Sequence, residues 1–149
     1  MGKPVVLITN SVPEDVLEPL EGIAEVRLGP ANGPLMPREE VKTHLPDLTA
    51  IVNQAELRVD EEIVSLGQNM KIIANVAAGF DNLNPELLAA RGVWATNTPG
   101  VFDLPVAEYT IASILVMLRR LIAADRHVRS GMWKAVQPGP WDGRLASGK

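Results

Sequence analysis

The stretch KIIANVAAGFDNLN, residues 71–84, decides how the rest of the chain is read. Ile72-Ile73-Ala74 is an uninterrupted apolar run, the form taken by a parallel strand that helices cover on both faces. Asn75-Val76-Ala77-Ala78-Gly79-Phe80-Asp81-Asn82 follows directly, and the small residues at 77 to 79 let another group approach the main chain closely. A turn placed there lies at the carboxyl end of the sheet, where ligand crevices form. Its N–H groups would suit a carboxylate. The plainer reading is a tight turn that simply needs glycine, and spacing alone does not separate the two.

Working outward, Val5-Val6-Leu7-Ile8 has the same character as the run at 72, and short apolar runs alternate with helical patterns between them. Strands are expected over residues 4–9, 24–28, 50–53, 71–75 and 93–96, with helices over 14–20, 38–45, 60–66 and 85–90. Pro13, Pro37 and Pro85 stand near helix starts, where a missing backbone donor costs nothing. Asp60 and Asn84 are candidate N-caps, and Gly22, Gly67 and Gly92 follow the helices as stops. Repeated βα units of this kind predict an α/β domain with a doubly wound, five-stranded parallel sheet over residues 1–97.

After Thr96 the pattern changes. Asn97-Thr98-Pro99-Gly100 is a turn, and 104–122 is the longest helical pattern in the chain, apolar nearly all round. Such a helix is ordinarily buried on several sides, so a further domain, a partner chain or both are expected to cover it. Arg119 and Arg120 stand at its end, where cations complement the helix dipole. A shorter helix is expected over 124–130, then a Pro- and Gly-rich tail over 137–143.

With 149 residues, 46% hydrophobic and 21% charged, the chain suits a soluble globular protein. A net charge of -4 spread along its length offers no basic stripe for nucleic acid. There is no cysteine for a disulfide or thiolate site, and His44 and His127 are too isolated to suggest a metal cluster. The opening residues read as a first strand instead of a signal peptide. The apolar run 111–118 is far short of the roughly 20 residues of a membrane span. A cytoplasmic location is therefore expected.

The runs KIIANVAAGFDNLN, GVWATNTPGV, VAEYTIASILVMLRR and ADRHVRSGMWK resemble, in order and spacing, the D-2-hydroxyacid dehydrogenase family, particularly its glyoxylate and hydroxypyruvate reductase branch. The resemblance implies a flavodoxin-like substrate-binding domain, in which the backbone amides of Ala78 and Gly79 take the carboxylate of a small 2-oxo or 2-hydroxy acid. It also implies that Ala78 lies near the nicotinamide of NAD or NADP, and that Asn53, Gln54 and Ala55, after the third strand, face the substrate. Relatives often carry valine at the position of Ala78, an apolar residue at that of Gln54, and a cofactor-contacting threonine at that of Asp103. The cofactor role carried to Asp103 is accordingly weak. Asp81 and Asn82 belong to the same signature and are read as turn-forming residues. His127 stands where relatives have a bulky apolar residue, so a structural role is favoured over acid–base work.

The nucleotide fingerprint G-x-G-x-x-G is absent from this sequence. The family's substrate-gripping arginine and its glutamate–histidine pair would lie beyond Gly148-Lys149. No catalytic residue and no metal ligand is therefore assigned, and the cofactor is not expected to bind tightly to this chain. Residues 98–149 read as linking helices at the entry to a dinucleotide-binding domain, with 104–122 mediating a homodimer or higher assembly. The rival reading is a non-enzymatic flavodoxin-like oligomeric scaffold. A true flavodoxin or receiver domain is disfavoured, because Thr9-Asn10-Ser11-Val12-Pro13 has neither a phosphate-cradling glycine pattern nor an acidic cluster.

Overall fold

A computed structural model describes residues 2–31, 34–136, 138–139 and 142–144. The chain forms two compact units, Met1–Pro99 and Gly100–Lys149.

The first unit is built on strands β1 (Val5–Ile8), β2 (Glu25–Leu28), β3 (Ala50–Asn53), β4 (Ile72–Asn75) and β5 (Trp94–Thr96). All pair in parallel, in the order β2-β1-β3-β4-β5. Helices α1 (Arg38–His44), α2 (Glu61–Leu66) and α3 (Pro85–Ala90) fill the later crossovers. The α/β class, the five parallel strands and the flavodoxin-like order all match expectation.

Right-handed crossovers place α1, α2 and α3 on one face of this sheet, because β2→β3, β3→β4 and β4→β5 all run in the same direction. Only β1→β2 runs the other way. Burial follows this rule. Ile51, Asn53, Ile73 and Asn75 are buried, whereas Ala50, Val52, Ile72 and Ala74 on the opposite face are half-covered. Val41, Leu45, Ile63 and Leu88 join Leu7, Ile51 and Ile73 in one core. Each large side chain buried there contributes about 1.5–3 kcal/mol.

The β1→β2 link departs from expectation. Residues 14–20 do not form an α-helix but two 3-10 turns, Glu14–Val16 and Glu18–Leu20. Pro19 explains the difference, since its ring has no N–H and would collide with the carbonyl four residues back. The hydrogen bonds instead span three residues, from Leu17 N–H to Glu14 O at 2.9 Å and from Leu20 N–H to Leu17 O at 2.8 Å.

The expected caps are present. Asp60 Oδ1 accepts from Ile63 N–H at 3.2 Å, and Asn84 Oδ1 accepts from Leu87 N–H at 3.0 Å, each worth about 1 kcal/mol. Gly22 and Gly92 take positive φ of 73° and 65° after their elements. Arg38 joins Asp60 (2.7 Å) and Glu62 (2.9 Å), and Lys42 reaches Glu62 at 2.7 Å, tying α1 to the start of α2.

In the second unit, α4 (Asp103–Leu118) and α5 (Leu121–Arg129) stand where two helices were expected, over 104–122 and 124–130, with the boundary between them a few residues earlier than expected. The break falls at Arg120, whose φ of 49° is left-handed. Arg119 and Arg120 close α4 as expected, while Leu121 and Ile122 open α5 instead of extending the longer helix. No residue of α4 is buried, and Leu104, Tyr109, Ile111 and Met117 are among its exposed apolar side chains. Among the described residues no helix is long and apolar enough to cross a membrane. The tail expected at 137–143 lies partly outside the described residues.

Candidate functional site

The carboxyl ends of β1, β3 and β4 meet in one neighbourhood, and each ends in a polar residue: Thr9 just after β1, Asn53 and Asn75. All three are buried. Buried polar groups must be hydrogen-bonded to be tolerated, and the partners found here shape the loops.

At the β1/β3 switch point, Thr9 Oγ1 donates to Glu56 Oε1 at 2.6 Å, while Gln54 N–H donates to Glu56 Oε2 at 2.7 Å. The Glu56 carboxylate thus ties the end of β1 to the loop after β3. Gly29 also lies against the end of β1, since a Cβ there would collide with the carbonyl of Thr9. The loop that Glu56 ties down carries Ala55 at φ 71°, a left-handed conformation costing an alanine about 1–2 kcal/mol.

Between β3 and β4 stands a ladder of side-chain amides. Asn53 and Asn75 are register partners, and Asn53 Nδ2 donates to Asn75 Oδ1 at 2.7 Å. Asn75 Nδ2 donates in turn to Asn82 Oδ1 at 2.7 Å and to the Gly79 carbonyl at 3.4 Å. Asn82 Nδ2 closes the ladder on the Leu57 carbonyl at 2.9 Å. Asn53 therefore turns its side chain inward, and the turn-forming role read for Asn82 has visible partners. Gln54 is exposed with its side chain outside this network.

The turn 76–80 rests on this ladder. Val76 N–H donates to Asn53 O at 2.7 Å, Thr98 N–H to Ala77 O at 2.9 Å and Asn97 Nδ2 to Ala78 O at 2.8 Å. Ala78, Gly79 and Phe80 are exposed. Among the described residues, no protein acceptor takes the N–H of Ala78 or Gly79. Nor is glycine required for shape at position 79. Its φ is not positive, and a Cβ would meet only Asp81 Oδ2, at an ordinary 3.8 Å. Thr98 Oγ1 is buried beside this turn without a partner.

Asp103 opens α4 in the second unit and is exposed. His127 lies on α5 and His44 is the last residue of α1. Among the described residues no group of three potential metal ligands occurs. A recess of about 430 Å³ lined by Pro85, Leu88, Val93 and Trp94 shares no residue with the turn. Sequence reading overlooked Glu56 and the Asn97 side chain.

Fold and turn together define a class: a flavodoxin-like α/β domain offering main-chain donors at the carboxyl end of a central strand. The sequence profile of the D-isomer specific 2-hydroxyacid dehydrogenase catalytic domain matches residues 6–137, and the chain belongs to that family. It is 36% identical over 132 residues to a glyoxylate reductase of Thermococcus kodakarensis, covering 89% of this chain and 39% of the relative. Among solved structures, a protein of Thermus thermophilus aligns with TM-score 0.83 at 30% identity, over 94% of this chain and 45% of that one. An NADPH-dependent glyoxylate/hydroxypyruvate reductase of Sinorhizobium meliloti, in complex with NADP and malonate, aligns with TM-score 0.67 at 26% identity, over 93% and 43%. The chain thus spans about 40% of the length of the curated relatives it matches.

Proposed function

We propose that this chain is the substrate-binding portion of an NAD(P)-dependent D-2-hydroxyacid dehydrogenase that reduces a small 2-oxo acid such as glyoxylate or hydroxypyruvate. The observation carrying this reading is the pair of exposed, unbonded amides of Ala78 and Gly79 after β4. If glycine served only a tight turn there, a positive φ or a crowded Cβ position would be expected, and neither occurs. Gln54 would offer a polar side chain to the same ligand, and Asn53 supports the turn through its carbonyl and the amide ladder. The malonate of the Sinorhizobium meliloti complex is itself a carboxylate ligand.

In the parent enzyme NAD or NADP supplies the hydride. With no G-x-G-x-x-G in the sequence, these residues do not by themselves fit a dinucleotide. Ala78 would form one wall beside the nicotinamide, and Asp103 would be a weaker contact. The residues present bind and orient the acid, while hydride and proton transfer belong to groups outside this chain. Purified protein incubated with NADH or NADPH and glyoxylate is therefore expected to show no cofactor oxidation above buffer. Turnover would overturn this division of labour.

Two amide donors to a carboxylate are worth about 1.5–3 kcal/mol each, so glyoxylate alone should bind weakly, at about millimolar. An amide-resolved NMR titration with sodium glyoxylate is expected to move Ala78 and Gly79 most. Shifts scattered elsewhere, or none, would contradict the proposal. We further propose that α4 joins two copies of the chain, its exposed apolar face being better suited to a second copy than to water.

A further inference from the structure

We infer that Asn97 is a positioning residue that aims the carboxylate-binding amides, through the carbonyl of Ala78. The inference deepens the carboxylate reading above and rests on it. A trans peptide is planar, so the carbonyl of one residue and the N–H of the next point in opposite directions. The unit carrying the Ala78 N–H is held by its other end, where the Ala77 carbonyl accepts from Thr98 N–H at 2.9 Å. The unit carrying the Gly79 N–H is held likewise, with the Ala78 carbonyl accepting from Asn97 Nδ2 at 2.8 Å. Two consecutive residues after β5 therefore grip, by their carbonyl ends, the two peptide units whose N–H groups no acceptor among the described residues takes.

The two grips differ in kind. Thr98 uses its main chain, which any residue except proline would supply. Asn97 uses a side-chain amide, so the direction of the Gly79 N–H depends on residue identity at position 97. Without that donor the Ala78–Gly79 peptide unit can rotate, and the Gly79 N–H no longer stays paired with that of Ala78 on a common target. Asn97 touches no substrate in this scheme. Its effect is preorganisation, which raises affinity by removing the ordering cost at binding.

The test uses the full 149-residue chain, titrated with sodium glyoxylate at constant ionic strength and read at individual backbone amides. Asn97→Ala is expected to weaken the midpoint at Ala78 and Gly79 by about fivefold, the value of one ordinary hydrogen bond. Asn97→Gln keeps the amide donor and is expected to recover most of the loss. Hydrogen exchange at Ile51 and Ile73 should match wild type in both variants, which separates aiming from general destabilisation. An unchanged midpoint in Asn97→Ala beside a saturating wild type would overturn the inference alone. Equal losses in Asn97→Ala and Asn97→Gln would also overturn it. Failure of the wild type to respond at residues 78 and 79 would overturn the carboxylate reading and the inference together.

Discussion

Asparagine at 53 and 75 illustrates how one residue type can frame a site without being its ligand. Both side chains are buried at strand ends, and their mutual hydrogen bond of 2.7 Å lets two polar groups sit in an otherwise apolar layer. Removing the middle member should cost more than one ordinary hydrogen bond, because its neighbours keep their polar atoms and lose their partner. Asn75→Leu is expected to lower unfolding free energy by about 2 kcal/mol in urea titrations. Gln54→Ala, on an exposed side chain outside the ladder, should change it by less than about 0.5 kcal/mol. Equal effects would mean that the ladder contributes nothing particular. The resemblance pointed to position 53, but the inward direction of its side chain depends on a partner 22 residues away.

Among elements, α1 and α2 are joined by charge as well as by the core. Hydrogen bonds from Arg38 hold the Asp60 carboxyl below its ordinary value of 3.8, and Lys42, followed by Arg38, holds Glu62 below 4.5. A carboxylate whose pKa is depressed on folding stabilises the fold above its unfolded pKa, and that stabilisation is lost as pH falls through the folded value. The urea midpoint should therefore be flat near neutrality and fall below about pH 4.5. Asp60→Asn removes the charge and should flatten part of that decline; an unaltered profile would show that the ion pair is not its source. The caps at Asp60 and Asn84 were legible because they depend on local residue type. The two 3-10 turns differ from the helix expected over 14–20 because Pro19 cannot occupy a helix interior, whatever the apolar spacing around it. The boundary between α4 and α5 was placed too late because Leu121 and Ile122 continue the apolar pattern beyond Arg119 and Arg120.

For the whole molecule, the exposed apolar surface of α4 raises the question of association. Leu104, Ile111 and Met117 are 68%, 60% and 78% exposed, more than a lone folded chain usually leaves on one helix. Light scattering at micromolar concentration is expected to give at least twice the 16.1 kDa of one chain. A monodisperse monomer would count against pairing through α4. The sheet carries a related asymmetry. Three helices cover one face, while the link across the other is reduced to short turns, leaving Ile72 and Val52 only half-buried.

From the sequence alone came the α/β class, the five strands, three of the four helices before residue 97 and their caps, together with a family resemblance that singled out residues 78 and 79. These are matters of local period and residue type, which short segments carry by themselves. Tertiary structure alone decided that the Glu56 carboxylate accepts from Thr9 Oγ1, and that the carbonyls of Ala77 and Ala78 accept from residues 97 and 98. The latter donors stand about 20 positions along the chain. No local pattern encodes a partner brought close only when β4 and β5 pair.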